Sequence, residues 1–311
     1  MRTYVPEVTS GSSHQVREGK NALAILFTAI VLLVAYMLFL RLGDRHAVLS
    51  ESNLQSNLGR VSAYLRSQKV DAVLVGSSVA GRLLSSYFDQ SGMPVHNLGL
   101  DGSRPMFGFE VVGMRNDIPR TMLIDTSTLF IRSDKNDLAL RDAICSPTMA
   151  LGKWLPFLRP ESRPSSLIYC SIKGLRDRTG GGILLDAKKR SGSHSANGGG
   201  AWVEDRYYIE VRDAISDCQK RGMRIALLSI PRGEGWGERC SGAERRLADE
   251  LGVPLLEPGV TLAESKATLR FTDGVHLDVQ SAKAVAEEII REMCSLDYDT
   301  KNMCPPCGGS R

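Results

Sequence analysis

The stretch VDAVLVGSSVAGRLL, from Val70 to Leu84, decides the fold. A run of apolar and β-branched residues ends abruptly at a Gly-Ser-Ser turn (76–78) and gives way to helix-like spacing. This pattern predicts a buried strand, a tight turn and a helix over 80–90. Because a helix N-terminus offers free N–H groups to an anion or an oxyanion, a serine in this turn is either a nucleophile or only a helix cap.

The rest of the chain continues this alternation of strands and helices. We predict a short strand and loop over 93–105, strands over 121–126, 223–230 and 253–257, and helices over 106–116, 204–221, 240–251 and 280–294. Pro254 lacks an N–H for a neighbouring strand, so the strand over 253–257 is expected at an edge. The alternation predicts a mainly parallel sheet between helical layers, a three-layer α/β/α fold.

Composition divides the chain into further segments. Residues 1–20 are polar and predicted to be disordered, 44–68 have the spacing of a helical stalk that packs against the domain, and 297–311 form a flexible tail. The domain itself is expected over 69–296. It contains an irregular insertion over about 129–206, rich in Gly, Ser and Pro, which we expect to be a flexible segment near the site.

Residues 21–40 contain no charged side chain and are long enough to cross a bilayer as a helix. A buried core helix usually shows a polar face, and no small-residue cleavage site follows the run, so we predict an uncleaved signal anchor rather than a core helix or a signal peptide. Arg17 and Lys20 precede the span while Arg41 and Arg45 follow it. These charges nearly cancel, so they do not decide the orientation.

The remaining composition disfavours several classes of partner. The net charge of +4 is thinly spread and aromatic residues make up 6%, which argues against nucleic acid. Seven cysteines are an odd number without the spacing of a disulfide framework. Cys304 and Cys307 lie in a Pro/Gly tail rather than at a helix start, so we expect a mobile end with neither a redox role nor a metal.

A second polar cluster, FTDGVHLD (271–278), precedes the predicted last helix. With three residues between them along a turn, the Asp273 carboxylate can face Nδ1 of His276 and leave Nε2 free to take a proton. Alone, the pair reads as a turn aspartate beside an incidental histidine. Since functional loops gather at the carboxyl ends of parallel strands, we expect this loop to meet Ser78 there.

Three blocks give the chain a resemblance to the SGNH (GDSL-like) hydrolase superfamily. They are Gly-Ser-Ser after the first strand, NLGLDG (97–102) after the second, and Asp-Gly-Val-His (273–276) before the last helix. The resemblance covers about 70–294, with the irregular segment as an insertion. It implies the flavodoxin-like three-layer fold of that superfamily.

The resemblance also implies roles for individual residues. It implies that Ser78 is the nucleophile and that His276 and Asp273 complete a triad. It further implies that the N–H groups of Gly102 and Ser78 form the oxyanion hole. Losing one such donor costs about 100-fold to 1000-fold in rate.

Two departures from the family pattern are evident. The usual Gly-x-Asn-Asp block is missing, and 124–127 stands in its place, where Thr126 or Ser127 would have to replace the asparagine donor. Ser77 also stands where the soluble esterases carry aspartate. With the N-terminal span, these departures make the chain similar to membrane-anchored relatives, the alginate acetylation proteins and the D-alanine transfer protein of teichoic acid assembly. That similarity implies an extracytoplasmic domain, work on surface polymers and membrane-bound polysaccharide-assembly partners.

Four other residues receive subordinate predictions. Arg82 and Arg104 flank the proposed site and are expected to attract an anionic substrate. His96 lies in an apolar strand and is expected to be structural, and His194 is expected to be a solvated loop histidine.

We therefore expect a serine-dependent acyl esterase or O-acyltransferase that acts on a surface polysaccharide or a small ester and needs no cofactor. The alternative is a catalytically degenerate scaffold or carbohydrate-binding protein with the same fold. Nucleotide binding is disfavoured, because the sequence has neither a Walker lysine nor a G-x-G-x-x-G run.

Overall fold

The structure is a computed structural model that describes residues 12–43, 52–89, 94–130, 135–152, 154–178, 183–185, 205–233, 235–240 and 242–296. The glycine- and serine-rich stretch with His194, the tail with Cys304 and Cys307, and residues 1–11 lie outside this part of the chain. The helices described are α1 (Ser12–Gly43), α2 (Asn53–Arg66), α3 (Pro105–Gly113), α4 (Lys135–Ile144), α5 (Pro147–Leu151), α6 (Pro164–Arg178), α7 (Asp205–Lys220), α8 (Gly242–Leu251), α9 (Pro258–Glu264) and α10 (Val279–Leu296). The strands described are β1 (Ala72–Gly76), β2 (Val95–Gly99), β3 (Thr121–Asp125), β4 (Ile183–Leu185), β5 (Arg224–Leu228), β6 (Leu255–Leu256) and β7 (Leu269–Phe271).

Five strands form a parallel sheet in the order β2-β1-β3-β5-β6. The prediction of an α/β fold with a mainly parallel sheet is confirmed, and β6 lies at the edge, where Pro254 places it. In register, Gly76 at the end of β1 faces Gly99 at the end of β2. Because parallel strands all end on the same side, the residues that follow β1, β2 and β3 lie close together.

Alternate side chains of each strand enter two separate hydrophobic cores, as the pleat of a strand requires. Val73 and Val75 of β1 lie in the core that the sheet shares with α2, α3, α7 and α8. Ala72 and Leu74 lie in the core shared with α9 and α10. Helices therefore cover both faces of the sheet.

Helix α2 lies within 44–68, where the sequence predicts a helical stalk that packs against the domain, and it packs on the sheet. Leu58, Val61 and Tyr64 recur on one face of the helix and are buried in the first core. The helix begins after Ser52, whose hydroxyl accepts a hydrogen bond from the Gln55 N–H at 3.3 Å and caps it.

The prediction of one helix over 80–90 is wrong. The chain forms two short 3₁₀ turns there, Ala80–Arg82 and Ser85–Tyr87. Asn97 of β2 donates its side-chain N–H groups to two carbonyls of this segment, one of them that of Ala80 at 2.8 Å. These carbonyls are the acceptors that a continuing α-helix would use, so the contact with β2 overrides the local helical spacing.

The segment over 129–206, expected to be irregular, contains α4, α5, α6 and β4. Its prolines suggest breaks, but Pro147 and Pro164 are the first residues of α5 and α6, where the missing N–H costs nothing. Strand β4 pairs antiparallel with β7, just before the loop that carries Asp273 and His276. The insertion therefore does reach the neighbourhood of the proposed site.

Helix α1 is longer than the predicted span. It begins at Ser12 rather than near residue 21, because a formed helix extends at one hydrogen bond per added residue and Gln, Arg, Glu and Lys are good helix formers. Within it, Asn21–Leu42 has a mean hydropathy of 2.8 and is 22 residues long, enough by length and composition to cross a membrane. A signal sequence near the N-terminus would have the same properties.

Candidate active site

Ser78 lies in the turn after β1, at the carboxyl end of the parallel sheet. The Gly81 N–H donates to the Ser77 carbonyl at 3.0 Å and closes the turn. A Cβ added to Gly99 would lie 2.2 Å from the Gly81 nitrogen, and one added to Gly76 would lie 2.6 Å from the Asp125 Cβ. Glycine at these two positions lets the ends of β2 and β3 pack directly against the serine turn.

The loop after β7 positions a histidine against an aspartate through a local hydrogen-bond network. Oδ1 of Asp273 accepts hydrogen bonds from the N–H groups of Val275 (3.1 Å) and His276 (2.8 Å), and Oδ2 lies 2.6 Å from Nδ1 of His276. Gly274 has a φ of 80°, which glycine adopts without strain. The Thr272 N–H donates to the His276 carbonyl at 2.7 Å and closes the loop.

The structure brings this loop to the serine turn. Nε2 of His276 lies 2.8 Å from Oγ of Ser78, although the two residues are 198 positions apart. Ser78 is half-buried, and the His276 side chain is 19% exposed, so a solvent-borne ligand can reach both. With Nδ1 hydrogen-bonded to a carboxylate, the imidazole can take the Ser78 proton on Nε2.

Electrostatics favour an ionised carboxylate behind the histidine. Burial raises the pKa of Asp273, but hydrogen bonds from the His276 backbone and ring and from the Val275 N–H lower it to about 2. Asp273 therefore stays negative across the ordinary pH range. A fixed negative charge on the Nδ1 side stabilises the imidazolium that forms when Nε2 takes a proton.

No protein-family model, curated protein or solved structure matches this chain. Its function is therefore inferred from the geometry of the site. The geometry includes one residue to which the sequence assigned no role.

That residue is Asp125, the last residue of β3, which is 0% exposed. Its Oδ2 accepts hydrogen bonds from the Ser77 N–H (3.3 Å), the Ser77 hydroxyl (3.1 Å) and the Ser127 hydroxyl (2.8 Å), and its Oδ1 accepts one from the Ser127 N–H (3.0 Å). Burial raises the pKa of Asp125, while these donors act in the opposite direction. Asp125 thus fastens the serine turn to β3, and a carboxylate at the end of a buried strand is the sequence signal that points to it.

The N–H groups of Ser78 and Gly102 are the two that the sequence predicts as oxyanion donors. Among the described residues, the Ser78 N–H has no hydrogen-bond acceptor. Gly102 has a φ of 71° in the turn after β2, and the Leu100 N–H of that turn donates to the Gly76 carbonyl at 2.9 Å. The turn with Gly102 is therefore fixed to the end of β1, beside the serine turn.

The hydroxyls considered as replacements for the family's asparagine point to other partners. The Thr126 hydroxyl donates to the Leu228 carbonyl at 3.4 Å, and Ser127 donates to Asp125. Both are engaged in holding the ends of the strands.

The two arginines differ in their surroundings. Nε of Arg104 donates to Oδ2 of Asp137 at 2.9 Å, and this ion pair is largely buried, so its charge is already neutralised by the fold. Arg82 is half-buried, and its side chain forms no hydrogen bond or ion pair with the described residues. Of the two, Arg82 retains an uncompensated charge near the serine turn.

His96 lies in a structural environment, and the described residues contain no metal-binding cluster. His96 packs edge-on against Tyr64, and its Nε2 lies 3.0 Å from the Ser67 hydroxyl. Burial lowers its pKa, as expected for a structural histidine. Within the described residues, no group of three or more His, Cys, Asp or Glu side chains could hold a metal ion.

Proposed function

We propose that this chain is a membrane-anchored, serine-dependent acyl esterase or O-acyltransferase of the SGNH type. The observation that carries the proposal is the hydrogen-bonded series from Ser78 Oγ through His276 to Asp273, with distances of 2.8 and 2.6 Å. A nucleophile, a base and an orienting carboxylate in this order are the requirement for covalent acyl transfer.

In the proposed reaction, Oγ of Ser78 attacks an ester carbonyl while Nε2 of His276 takes the hydroxyl proton. The N–H groups of Ser78 and Gly102 donate to the oxyanion of the tetrahedral intermediate. The imidazolium then gives its proton to the departing alcohol as the ester bond breaks, which leaves an acyl-serine. Water or a sugar hydroxyl attacks this ester with His276 as base again, and Ser78 is regenerated with the free acid or the transferred acyl group.

The proposed substrate is an acyl ester on a surface polysaccharide or a similar glycan. Two features support this choice: the resemblance to membrane-anchored polysaccharide-modifying proteins, and the apolar helix Asn21–Leu42. In this proposal α1 crosses the cytoplasmic membrane once and the domain lies outside it, next to membrane-bound polysaccharide-assembly partners.

A second candidate function is a carbohydrate-binding or scaffold protein without catalysis. The observation that favours it is the engagement of the Thr126 and Ser127 hydroxyls with Leu228 and Asp125, which leaves two oxyanion donors. An activated serine distinguishes the two functions, because a binding protein does not need one.

The test is covalent labelling of the purified full-length chain with a fluorophosphonate. We expect labelling that disappears in Ser78→Ala and slows by about 100-fold or more in His276→Ala, because the base raises nucleophilicity. Ser77→Ala is the matched control. It should keep labelling, since Asp125 retains the Ser77 N–H and both Ser127 donors. A folded chain that takes no label, or that labels equally well in Ser78→Ala, would favour the binding protein instead.

A further inference from the structure

The carboxyl-terminal part of α1 packs against the domain. The Tyr36 hydroxyl donates to the Ser162 carbonyl, Leu40 is 6% exposed, and the last turns of α1 contact the 3₁₀ turn Pro156–Leu158. By contrast, the side chains of α1 over 21–35 are exposed. Helix α1 and the domain thus meet at the carboxyl-terminal end of the apolar helix.

The depth of this contact matters. Tyr36 precedes Leu42, the last residue of the apolar span, by six residues, which is about 9 Å along a helix. If α1 spans the membrane, its contact with the domain therefore lies closer to the bilayer centre than Leu42, where the span ends. Domain residues beside this contact must then lie at the level of the lipid headgroups.

On both sides of this contact along the chain, domain residues carry exposed apolar side chains. Outside α1, six of the twelve large apolar side chains exposed in the described chain come from the segment 151–172. We call these six the apolar surface: Leu151, Trp154, Leu155, Ile168, Tyr169 and Ile172. They stay exposed with α1 in place, and Trp154 is 82% exposed. Six large apolar side chains exposed within one segment are costly in water and indicate a surface that binds a partner or a membrane.

The chemistry of this surface matches a lipid interface. Ile168 and Ile172 are four residues apart in α6, so they lie on the same side of the helix, with Tyr169 next to them. Tryptophan and tyrosine are enriched at the boundary between lipid and water, where an apolar ring carries a polar group.

The charges of the segment agree with this. Arg159 and Arg163 belong to it, whereas its acidic residue Glu161 is buried and paired with Arg66. Both arginines are half-buried, so the partly exposed charge of the described segment is positive, which suits anionic headgroups.

We propose that the apolar surface lies in the headgroup region of the same bilayer that α1 spans. This inference rests on the membrane anchoring in the proposed function but not on the catalytic role of Ser78. The domain is then held by two attachments, the span and this surface, and cannot rotate freely about the end of α1. The mouth of the Ser78 site keeps a fixed orientation toward the membrane.

The test uses the full chain in lipid nanodiscs of anionic composition, made with lipids brominated at shallow or deep acyl positions. Bromine quenches tryptophan emission on contact. Because Trp202 and Trp236 are present in both chains, the difference between the wild type and Trp154→Phe isolates the emission of Trp154. We expect shallow bromines to quench at least half of this difference emission and deep bromines to quench it less.

The matched control moves the reporter to another surface. Ile209 is also exposed, on α7, which packs on α3, α8 and β5 rather than on α1. The emission that Ile209→Trp adds to the Trp154→Phe background should show no quenching. If the chain enters nanodiscs but Trp154 is not quenched, the apolar surface does not touch lipid, while the anchoring stands. If the chain does not enter nanodiscs at all, both the anchoring and this inference fail, while fluorophosphonate labelling of Ser78 still tests catalysis.

Discussion

Asp125→Asn is the substitution that most directly tests how the serine turn is held. The change keeps the shape of the side chain but replaces one acceptor oxygen by an N–H₂ donor. With the amide oxygen at the Oδ2 position, three donors keep an acceptor and the Ser127 N–H faces another donor. With the amide flipped, the Ser77 N–H faces another donor, while the two serine hydroxyls can rotate to accept from the amide. At least one buried N–H thus loses its acceptor in either orientation.

The magnitude follows from these contacts. An unpaired buried donor costs about 1–3 kcal/mol, and the remaining hydrogen bonds weaken because their acceptor is no longer ionised, so we expect the free energy of unfolding to fall by about 2–4 kcal/mol. Asp125 also touches Ser77, the neighbour of the nucleophile. A displacement of Ser78 by about 1 Å would slow its acylation by about 100-fold.

The assay combines urea unfolding with the concentration dependence of fluorophosphonate labelling. We expect the maximal labelling rate to fall while the half-saturating probe concentration stays nearly constant, because Asp125 positions the nucleophile without touching the probe. Asp213→Asn, on the exposed surface of α7, is the matched control and should leave both measurements unchanged. An Asp125→Asn chain with wild-type stability and labelling rate would refute a positioning role.

For three further tests, the structure predicts the direction of the change in stability. The pKa of Asp273 is depressed from 3.8 to about 2, so the stability that its ionised form contributes is complete above about pH 4 and is lost as the pH falls through 2. Between about pH 4 and pH 2 the urea midpoint of the wild type should therefore fall more steeply with pH than that of Asp273→Asn. Gly99→Ala forces a Cβ onto the Gly81 nitrogen and should destabilise by about 1–3 kcal/mol and slow labelling. Gly113→Ala is the control: its Cβ meets no atom within 4 Å, so it should leave labelling unchanged and raise stability by up to about 1 kcal/mol. Equal effects of Gly99→Ala and Gly113→Ala on unfolding would refute the close packing of Gly99 against Gly81. Ser77→Asp would bring a second carboxylate within reach of Asp125 and should destabilise, with stability regained in Ser77→Asp/Asp125→Ser; a double variant no more stable than Ser77→Asp would contradict a direct contact.

The parts of the fold that the sequence predicts well depend on periodicity and on parallel-sheet geometry. The apolar run before the Gly-Ser-Ser turn and those near 95, 121 and 224 each form a strand, because a strand buried on both faces has a distinctive composition. The approach of His276 to Ser78 could be anticipated because loops at the carboxyl ends of parallel strands converge, whatever their separation along the chain.

The parts that the sequence does not predict depend on contacts between distant segments. Helical spacing over 80–90 loses to the Asn97 amide, a partner from the next strand. The ion pair of Arg104 with Asp137 is likewise not predicted, because Asp137 belongs to a segment expected to be irregular. The proline-rich segment 129–206 is misread because proline at the first position of a helix and proline as a helix breaker look the same in one sequence.

Asp125 connects the two departures from the SGNH pattern. The soluble esterases of that family carry an aspartate at the position of Ser77, and their asparagine block lies after the third strand, where this chain has Asp125. Here the carboxylate is supplied from β3 and the hydroxyl from the serine turn, with 3.1 Å between Ser77 Oγ and Asp125 Oδ2. Asp125 is completely buried at the end of β3, and the serine turn donates to it. Replacing a buried carboxylate that accepts four hydrogen bonds costs more stability than replacing an exposed one, because its donors are left unpaired. In this chain the position of the nucleophile therefore depends on the end of β3.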